Sequence, residues 1–177
     1  MLYFPSVQTS HLRSIFLVSR RQILRGKLSS YADESYPPWA IPAAQFIEQC
    51  TQCDACLTSC PQQIIKHNKA GFPVMDFTDA SCTFCASCVD SCENNSLSAL
   101  AYIGTQPWSL KATIGQSCVN FHGGVCRICA DACDANAISF RVSDVASAVP
   151  VIDTDSCTGC GQCYRHCPKR AIRVKAG

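Results

Sequence analysis

Cysteine is the residue type with the most chemistry in this chain. Sixteen of its 177 residues are cysteine, a share of roughly 9% that is typical of disulfide or metal scaffolds. Three runs have the spacing C-x2-C-x2-C-x3-C, and a further run widens the first gap to seven residues. In chain order the four runs are Cys50, Cys53, Cys56 and Cys60; Cys82, Cys85, Cys88 and Cys92; Cys118, Cys126, Cys129 and Cys133; and Cys157, Cys160, Cys163 and Cys167.

The spacing indicates what these thiols bind. Two intervening residues let successive thiolates converge on one metal centre, and in two-cluster bacterial ferredoxins the fourth cysteine ligates the other [4Fe–4S] cluster. We therefore predict crosswise ligation, with closure of each run on its own cluster as the alternative. The predicted sets are Cys50, Cys53, Cys56 and Cys92; Cys82, Cys85, Cys88 and Cys60; Cys118, Cys126, Cys129 and Cys167; and Cys157, Cys160, Cys163 and Cys133.

Two other uses of cysteine fit the spacing less well than clusters do. A disulfide scaffold has no need of one repeated interval, and structural zinc usually takes two cysteine pairs separated by a longer loop. Three clusters are therefore predicted from the regular runs. A fourth is predicted from the wide run, where displacement of Cys118 would instead leave a three-iron or labile site.

The repeat extends to the elements that must position the cysteines. An apolar residue stands five positions after the last cysteine of every run: Ile65, Leu97, Ile138 and Ile172. Alternating apolar stretches predict short strands over Phe72–Phe77 and Ile138–Val142. Residues Asp54–Cys60 and their equivalents are predicted to form one or two helical turns. The fourth cysteine of each run, after its gap of three residues, is predicted to open a short helix.

These repeats predict a small α+β protein made of two tandem bacterial-ferredoxin-like modules, each organised around a pair of [4Fe–4S] clusters. The predicted modules span residues 36–110 and 111–177, after a partly disordered basic arm over residues 1–35. The metal must supply much of the internal scaffold, because the sequence offers few large aliphatic side chains for a core.

Charge is distributed unevenly along the chain. Residues 1–30 and 165–177 each carry five basic side chains and no acid, whereas residues 31–164 carry five basic and thirteen acidic ones. The segment Ser19–Gly26 begins like a twin-arginine export motif. Its apolar stretch precedes the arginines, so export is not expected. The segment is interpreted either as a short helix that binds a partner or as a disordered tail.

Other chemistry is missing from the sequence. It contains no dinucleotide-binding glycine motif, no phosphate loop and no apolar run long enough to cross a membrane. The four histidines, His11, His67, His122 and His166, show no ligand spacing. The pattern therefore favours a carrier or accessory protein over an enzyme.

Several motifs together resemble one family. Tyr36–Trp39, Cys50–Cys56, Gly71–Pro73 and Cys82–Cys85 come first, followed by Trp108, Thr113–Gly115, Cys126–Cys129, Ile138–Arg141 and Cys157–Gly161. Over residues 19–175 the chain resembles the NapF family, ferredoxin-type proteins of bacterial periplasmic nitrate reductase systems.

This resemblance implies a function and a partner. It implies a cytoplasmic iron–sulfur protein that binds the catalytic molybdenum subunit of the reductase in its precursor form, before export. It further implies a part in that subunit's maturation, by assembly or reduction of its cluster, with the sixteen cysteines as metal ligands. A general electron-transfer ferredoxin without a maturation role is the alternative.

Overall fold

The computed structural model describes residues 34–98, 106–142 and 148–176. We call residues 34–98 the first half, and the described residues between 106 and 176 the second half. All but the last two residues of the predicted basic arm, including the predicted helix at Ser19–Gly26, lie outside the described residues.

The first half consists of short helices around one hairpin. Its antiparallel hairpin pairs Ile65 with Met75, and an isolated antiparallel bridge joins Ala40 to Leu97. The bridge therefore holds the start of this half against its end. The elements are α1 (Ala43–Gln49), α2 (Ala55–Ser59), β1 (Ile65–His67), β2 (Pro73–Met75) and α3 (Ser87–Asp90).

The second half repeats this plan with longer strands. Strands β3 and β6 pair antiparallel, with Leu110 opposite Ala176 at one end and Ile114 opposite Ile172 at the other. Strands β4 and β5 also pair antiparallel. Because β3 begins at Leu110, the predicted module boundary between residues 110 and 111 falls inside this strand. The elements are β3 (Leu110–Ile114), a short 3-10 helix (Val119–His122), α4 (Ile128–Asp131), β4 (Ile138–Val142), β5 (Ala148–Ile152), α5 (Gln162–His166) and β6 (Ile172–Ala176).

The predicted local elements are confirmed at their core. Strand β4 has the predicted bounds, α2 lies within the predicted turns, and β2 occupies the middle of the predicted strand Phe72–Phe77. The recurring apolar residue after each run is buried in all four cases, and it lies in a strand or in the bridge: Ile65, Leu97, Ile138 and Ile172.

The helices that lie inside the cysteine runs have four or five residues, too few to be stable in isolation. In three of them the N-cap residue is left-handed: Asp54 (φ 63), Ala86 (φ 63) and Gly161 (φ 86). We expected the fourth cysteine of a run to open a helix. Instead Cys60 and Cys167 end α2 and α5, because their extended backbone leads into the next turn.

The apolar core is divided into three clusters. One lies in the first half around Phe46, and one lies in the second half around Ile138 and Ile172. A third joins Ile64 and Phe77 of the first half to Leu110 of the second. Cysteines form part of every cluster, so the thiols replace the large aliphatic side chains that the chain lacks.

Phe46 anchors the first-half core, and its replacement gives a measurable prediction. Its fully buried ring lies 4.5 Å from that of Tyr36 and 6.5 Å from that of Phe72, measured between centroids. Phe46→Leu should therefore lower the free energy of unfolding by about 1–2 kcal/mol. Val125→Ala, at a side chain that is 89% exposed, is the control and should change it by less than about 0.5 kcal/mol. Anaerobic denaturant titrations of both variants would check this, and equal midpoints would contradict it.

Candidate metal centres

The sixteen cysteines come together in four groups of four, each lining one cavity. In every cavity the first three cysteines of one run meet the last cysteine of another. The first site has Cys50, Cys53, Cys56 and Cys92; the second has Cys60, Cys82, Cys85 and Cys88; the third has Cys118, Cys126, Cys129 and Cys167; and the fourth has Cys133, Cys157, Cys160 and Cys163.

These groupings are the predicted crosswise sets. None of the four cavities is lined by a complete run, and Cys118 reaches the third site with the other members of its set. The cavities are also alike in size, at about 350, 340, 400 and 340 Å³ from the first to the fourth, including space open to solvent.

A strained backbone brings the thiols of three runs together. The residues on either side of the second cysteine are left-handed in the first, second and fourth runs: Gln52, Asp54, Phe84, Ala86, Gly159 and Gly161. For a residue with a side chain this conformation costs roughly 1–2 kcal/mol. Such strain persists where the surroundings determine it, often at a ligand site.

The wide third run reaches its cavity differently. Arg127, which precedes α4, has φ −127, so the left-handed turn before the helix is absent here. Cys118 instead stands before the 3-10 helix, whose chain turns back through Gly123 at φ 77. The seven-residue gap is therefore filled by a turn of helix that returns Cys126 to the side of Cys118.

A second repeated turn follows the last cysteine of every run. The third residue after it is left-handed in all four runs: Gln63, Asn95, Asn136 and Arg170. This turn directs backbone N–H groups at the sulfur. Leu97, Ala137 and Ala171 donate to the Sγ atoms of Cys92, Cys133 and Cys167 at 3.4, 3.3 and 3.3 Å. Hydrogen bonds of this kind stabilise negative charge on a ligand sulfur.

Burial opposes the ionisation of several of the clustered thiols. Burial raises the pKa of Cys56, Cys82, Cys88 and Cys163 to about 12, and neighbouring thiolates add to the effect. Burial likewise raises the pKa of Cys129 to about 11. At the surface, a hydrogen bond from Ser87 lowers the pKa of Cys85. Binding a cationic core would reverse the penalty on the buried thiolates and release protons.

The donor set fits an iron–sulfur cluster better than one ion. Each site presents four cysteine thiols, and all sixteen cysteines are free of disulfides. Within the described ranges, no three cysteine, histidine or carboxylate groups are arranged to hold a single metal ion. Four thiols spread around a cavity suit a core that offers one iron to each sulfur.

Two polar residues at the sites have no counterpart in the motif. Asn120 lines the third site and is almost fully buried; its Nδ2 donates to the Ala148 carbonyl at 2.6 Å, while its Oδ1 has no partner among the described residues. Lys111 Nζ donates to the Cys157 carbonyl at 2.7 Å. Neither residue lies inside a cysteine run, so the spacing carried no signal for them.

Two of the histidines are engaged elsewhere. His67 Nε2 lies 2.7 Å from the Asp54 carboxylate, and His122 Nε2 lies 2.7 Å from the Gln116 carbonyl oxygen. Neither histidine lines any of the four cysteine cavities.

Paired cysteine runs, short helices and two-stranded sheets together define a ferredoxin-type iron–sulfur protein. Two family models match the chain: a 4Fe-4S dicluster domain over residues 49–96 and a 4Fe-4S binding domain over residues 150–173. The chain belongs to the NapF family of ferredoxin-type proteins, as its similarity to individual relatives shows.

Two of these relatives are ferredoxin-type proteins NapF. The one from Escherichia coli K12 is 34% identical over 157 residues, covering 89% of this chain and 94% of the relative. The one from Haemophilus influenzae is 39% identical over 166 residues, covering 88% and 92%. A methylamine utilization ferredoxin-type protein MauM from Methylorubrum extorquens is 28% identical over 155 residues, covering 78% and 70%.

In residues 34–98, 106–142 and 148–176, no helix has both the length and the apolar character that crossing a bilayer requires.

Proposed function

We propose that each of the four sites holds one [4Fe–4S] cluster, with the crosswise cysteine sets as ligands. The observation that carries this proposal is the meeting of all sixteen cysteines in four complete sets. Clusters of this kind accept and donate single electrons. The protein's own residues supply the thiolates and the backbone N–H groups that donate to five of the sulfurs.

The proposed domain organisation follows the sites. Residues 36–110 and 111–177 form two modules, each with two clusters, behind a basic arm over residues 1–35. This division is supported by the last cysteine of each run, which lines the site of the other run in the same module. Cys60 and Cys92 do so in the first module, and Cys133 and Cys167 do so in the second.

We further propose that this protein works in the cytoplasm on the catalytic molybdenum subunit of periplasmic nitrate reductase. It would bind the precursor of that subunit before export and assist its maturation, by assembling or reducing its iron–sulfur cluster. Membership of the NapF family supports this role. The basic arm around Arg20 and Arg21 supports docking, because a simple carrier has no need of it.

An anaerobic pull-down tests the docking proposal. The full-length protein should retain the cytoplasmic precursor of the catalytic subunit, and the double variant Arg20→Ala/Arg21→Ala should retain at least about tenfold less, because complementary charge steers and fixes partners. Arg173→Ala/Lys175→Ala removes the same charge from exposed positions of β6 and should bind normally. Failure of the unaltered protein to bind the precursor would contradict the proposal.

The second candidate function is a ferredoxin that feeds electrons to a reductase. A specific observation favours it: the second and fourth sites adjoin, through a hydrogen bond from the Cys82 N–H to the Cys160 carbonyl at 2.8 Å. Rapid reduction of the clusters by a quinol-linked partner, without binding of the precursor, would favour this candidate. Binding of the precursor with slow reduction would favour the maturation role.

A further inference from the structure

The two halves meet at the cysteines of the second and fourth sites. Cys82 begins the second run, and its backbone N–H donates to the carbonyl of Cys160, at 2.8 Å in the other half. Beside it, the Ser81 hydroxyl donates to Gln162 Oε1 at 2.6 Å. One ligand residue from each half therefore takes part in a direct contact between them.

Aromatic packing makes this junction tight. The Trp108 ring meets those of Phe77 and Phe84 edge-on, at 6.0 and 5.5 Å between centroids, and its Nε1 donates to the Thr158 carbonyl at 2.8 Å. A methyl group on Gly161 would lie 2.2 Å from the Phe77 ring. The loop of the fourth site is thus pressed against the first half without space for a side chain.

Among the residues that the structure describes, the first and third sites reach the junction through contacts within their own halves. The last cysteines of paired runs exchange places, which joins the first site to the second and the third site to the fourth. In addition, Ser59 at the end of α2 is hydrogen bonded to Ser91, the residue after α3, at 2.9 Å. Each serine directly precedes one of the exchanged cysteines, Cys60 or Cys92. In the described chain, no hydrogen bond joins a cysteine of the first or third site to the opposite half.

We propose that the four clusters form one electron-transfer chain in the order first, second, fourth, third site, with the Cys82–Cys160 contact as its central link. This inference rests on the proposed occupancy of the sites. An external one-electron donor supplies the electron. The second site loses this electron and the fourth site gains it, with no bond made or broken. The protein would thus carry electrons through all four clusters, between the first site and the third. It would not act as two separate two-cluster carriers.

Two matched double variants test the proposed order of the sites, because each variant should keep a different pair of clusters. Cys53→Ala/Cys126→Ala removes a ligand from the first and third sites, and Cys85→Ala/Cys160→Ala removes one from the second and fourth. Anaerobic iron analysis should give about eight irons for each. After reduction with dithionite, electron paramagnetic resonance should show magnetic interaction between the clusters in the first variant only.

The outcomes separate this inference from the proposed function. Two independent signals in Cys53→Ala/Cys126→Ala, with about eight irons bound, would overturn the chain order and leave the clusters intact. An unaltered protein without iron and sulfide would instead overturn the proposed occupancy.

A second comparison keeps all sixteen cysteines, in case the ligand variants lose every cluster. Phe77→Ala loosens the junction, whereas Phe72→Ala removes a ring that packs against Phe46 away from it. In the reduced protein with all four clusters, magnetic interaction between clusters broadens the electron paramagnetic resonance spectrum. Phe77→Ala should narrow this spectrum, and Phe72→Ala should leave its width unchanged. Identical spectra for both variants and the unaltered protein would overturn the inference.

Discussion

Replacing Cys60 and Cys85 together by alanine should remove one cluster, about four irons, whereas replacing Cys60 and Cys53 together should remove two, about eight. The reason is that Cys60 and Cys85 line the second site, although they belong to different runs. Cys53 lies in Cys60's own run but lines the first site. Iron and acid-labile sulfide, measured on anaerobically purified variants, distinguish the two losses.

The second half supplies an independent copy of this experiment. Cys133→Ala/Cys160→Ala should cost about four irons, and Cys133→Ala/Cys126→Ala about eight, because Cys133 and Cys160 share the fourth site. Closure of each run on its own cluster would give the reverse result in both halves. That reversal would refute crosswise ligation while leaving the number of clusters unchanged.

Gly159→Ala should remove the cluster of the fourth site. A methyl group on Gly159 would lie 2.2 Å from the Leu110 carbonyl oxygen and 2.9 Å from Trp108 Nε1. A backbone oxygen held in the β3–β6 pair cannot move aside as a flexible side chain can. The loop that carries Cys157 and Cys160 must therefore shift, and we expect the loss of about four irons together with a weaker visible absorption band.

Gly123→Ala is the control for this variant. Gly123 has a similar left-handed backbone, φ 77 against 72, but its methyl group would meet nothing within 4 Å. It should cost about 1–2 kcal/mol of stability and keep every cluster. Gln52 and Phe84 hold left-handed conformations at the position of Gly159 in other runs, so a side chain is tolerated there in principle. Full iron content in Gly159→Ala would contradict this account of the junction.

The meeting of the first three cysteines of each run could be predicted because their geometry is local and repeated, whereas the place of the fourth cysteine follows the pattern of two-cluster ferredoxins. Two-residue gaps restrict where successive thiols can point, and an apolar residue at a constant offset positions the strand that follows. Ile138, for instance, begins β4 and is buried, as the pattern required. The wide run is less informative, since nothing in its spacing shows that residues 119–122 form a helical turn that brings Cys118 back to Cys126.

The junction between the halves could not be predicted, because it depends on contacts between residues far apart in the chain. Phe77 and Gly161 are individually unremarkable in the sequence, and only the fold brings the ring against the glycine. The same holds for Asn120, whose burial at the third site depends on its hydrogen bond to Ala148 near the start of β5. Such pairings leave no periodic pattern, and spacing alone cannot indicate them.

Clusters would also explain how this fold is stable although its core contains few large aliphatic side chains. The helices next to the cysteines are too short to persist alone, and several loop residues adopt costly left-handed conformations. Buried thiols, such as those of Cys88 and Cys163, occupy positions that aliphatic side chains fill in other proteins. Metal binding would therefore be coupled to folding, and removal of the iron should loosen the whole molecule.

The most direct test of four cluster sites is an iron and acid-labile sulfide count on anaerobically purified, full-length protein. Four [4Fe–4S] clusters predict about 16 of each per chain, with a brown colour and broad visible absorption. About 12 of each would mean that one site does not hold a full cluster. The third site, built from the wide run, would then be examined first. A folded, colourless protein that contains zinc or disulfides and no sulfide would contradict the account entirely.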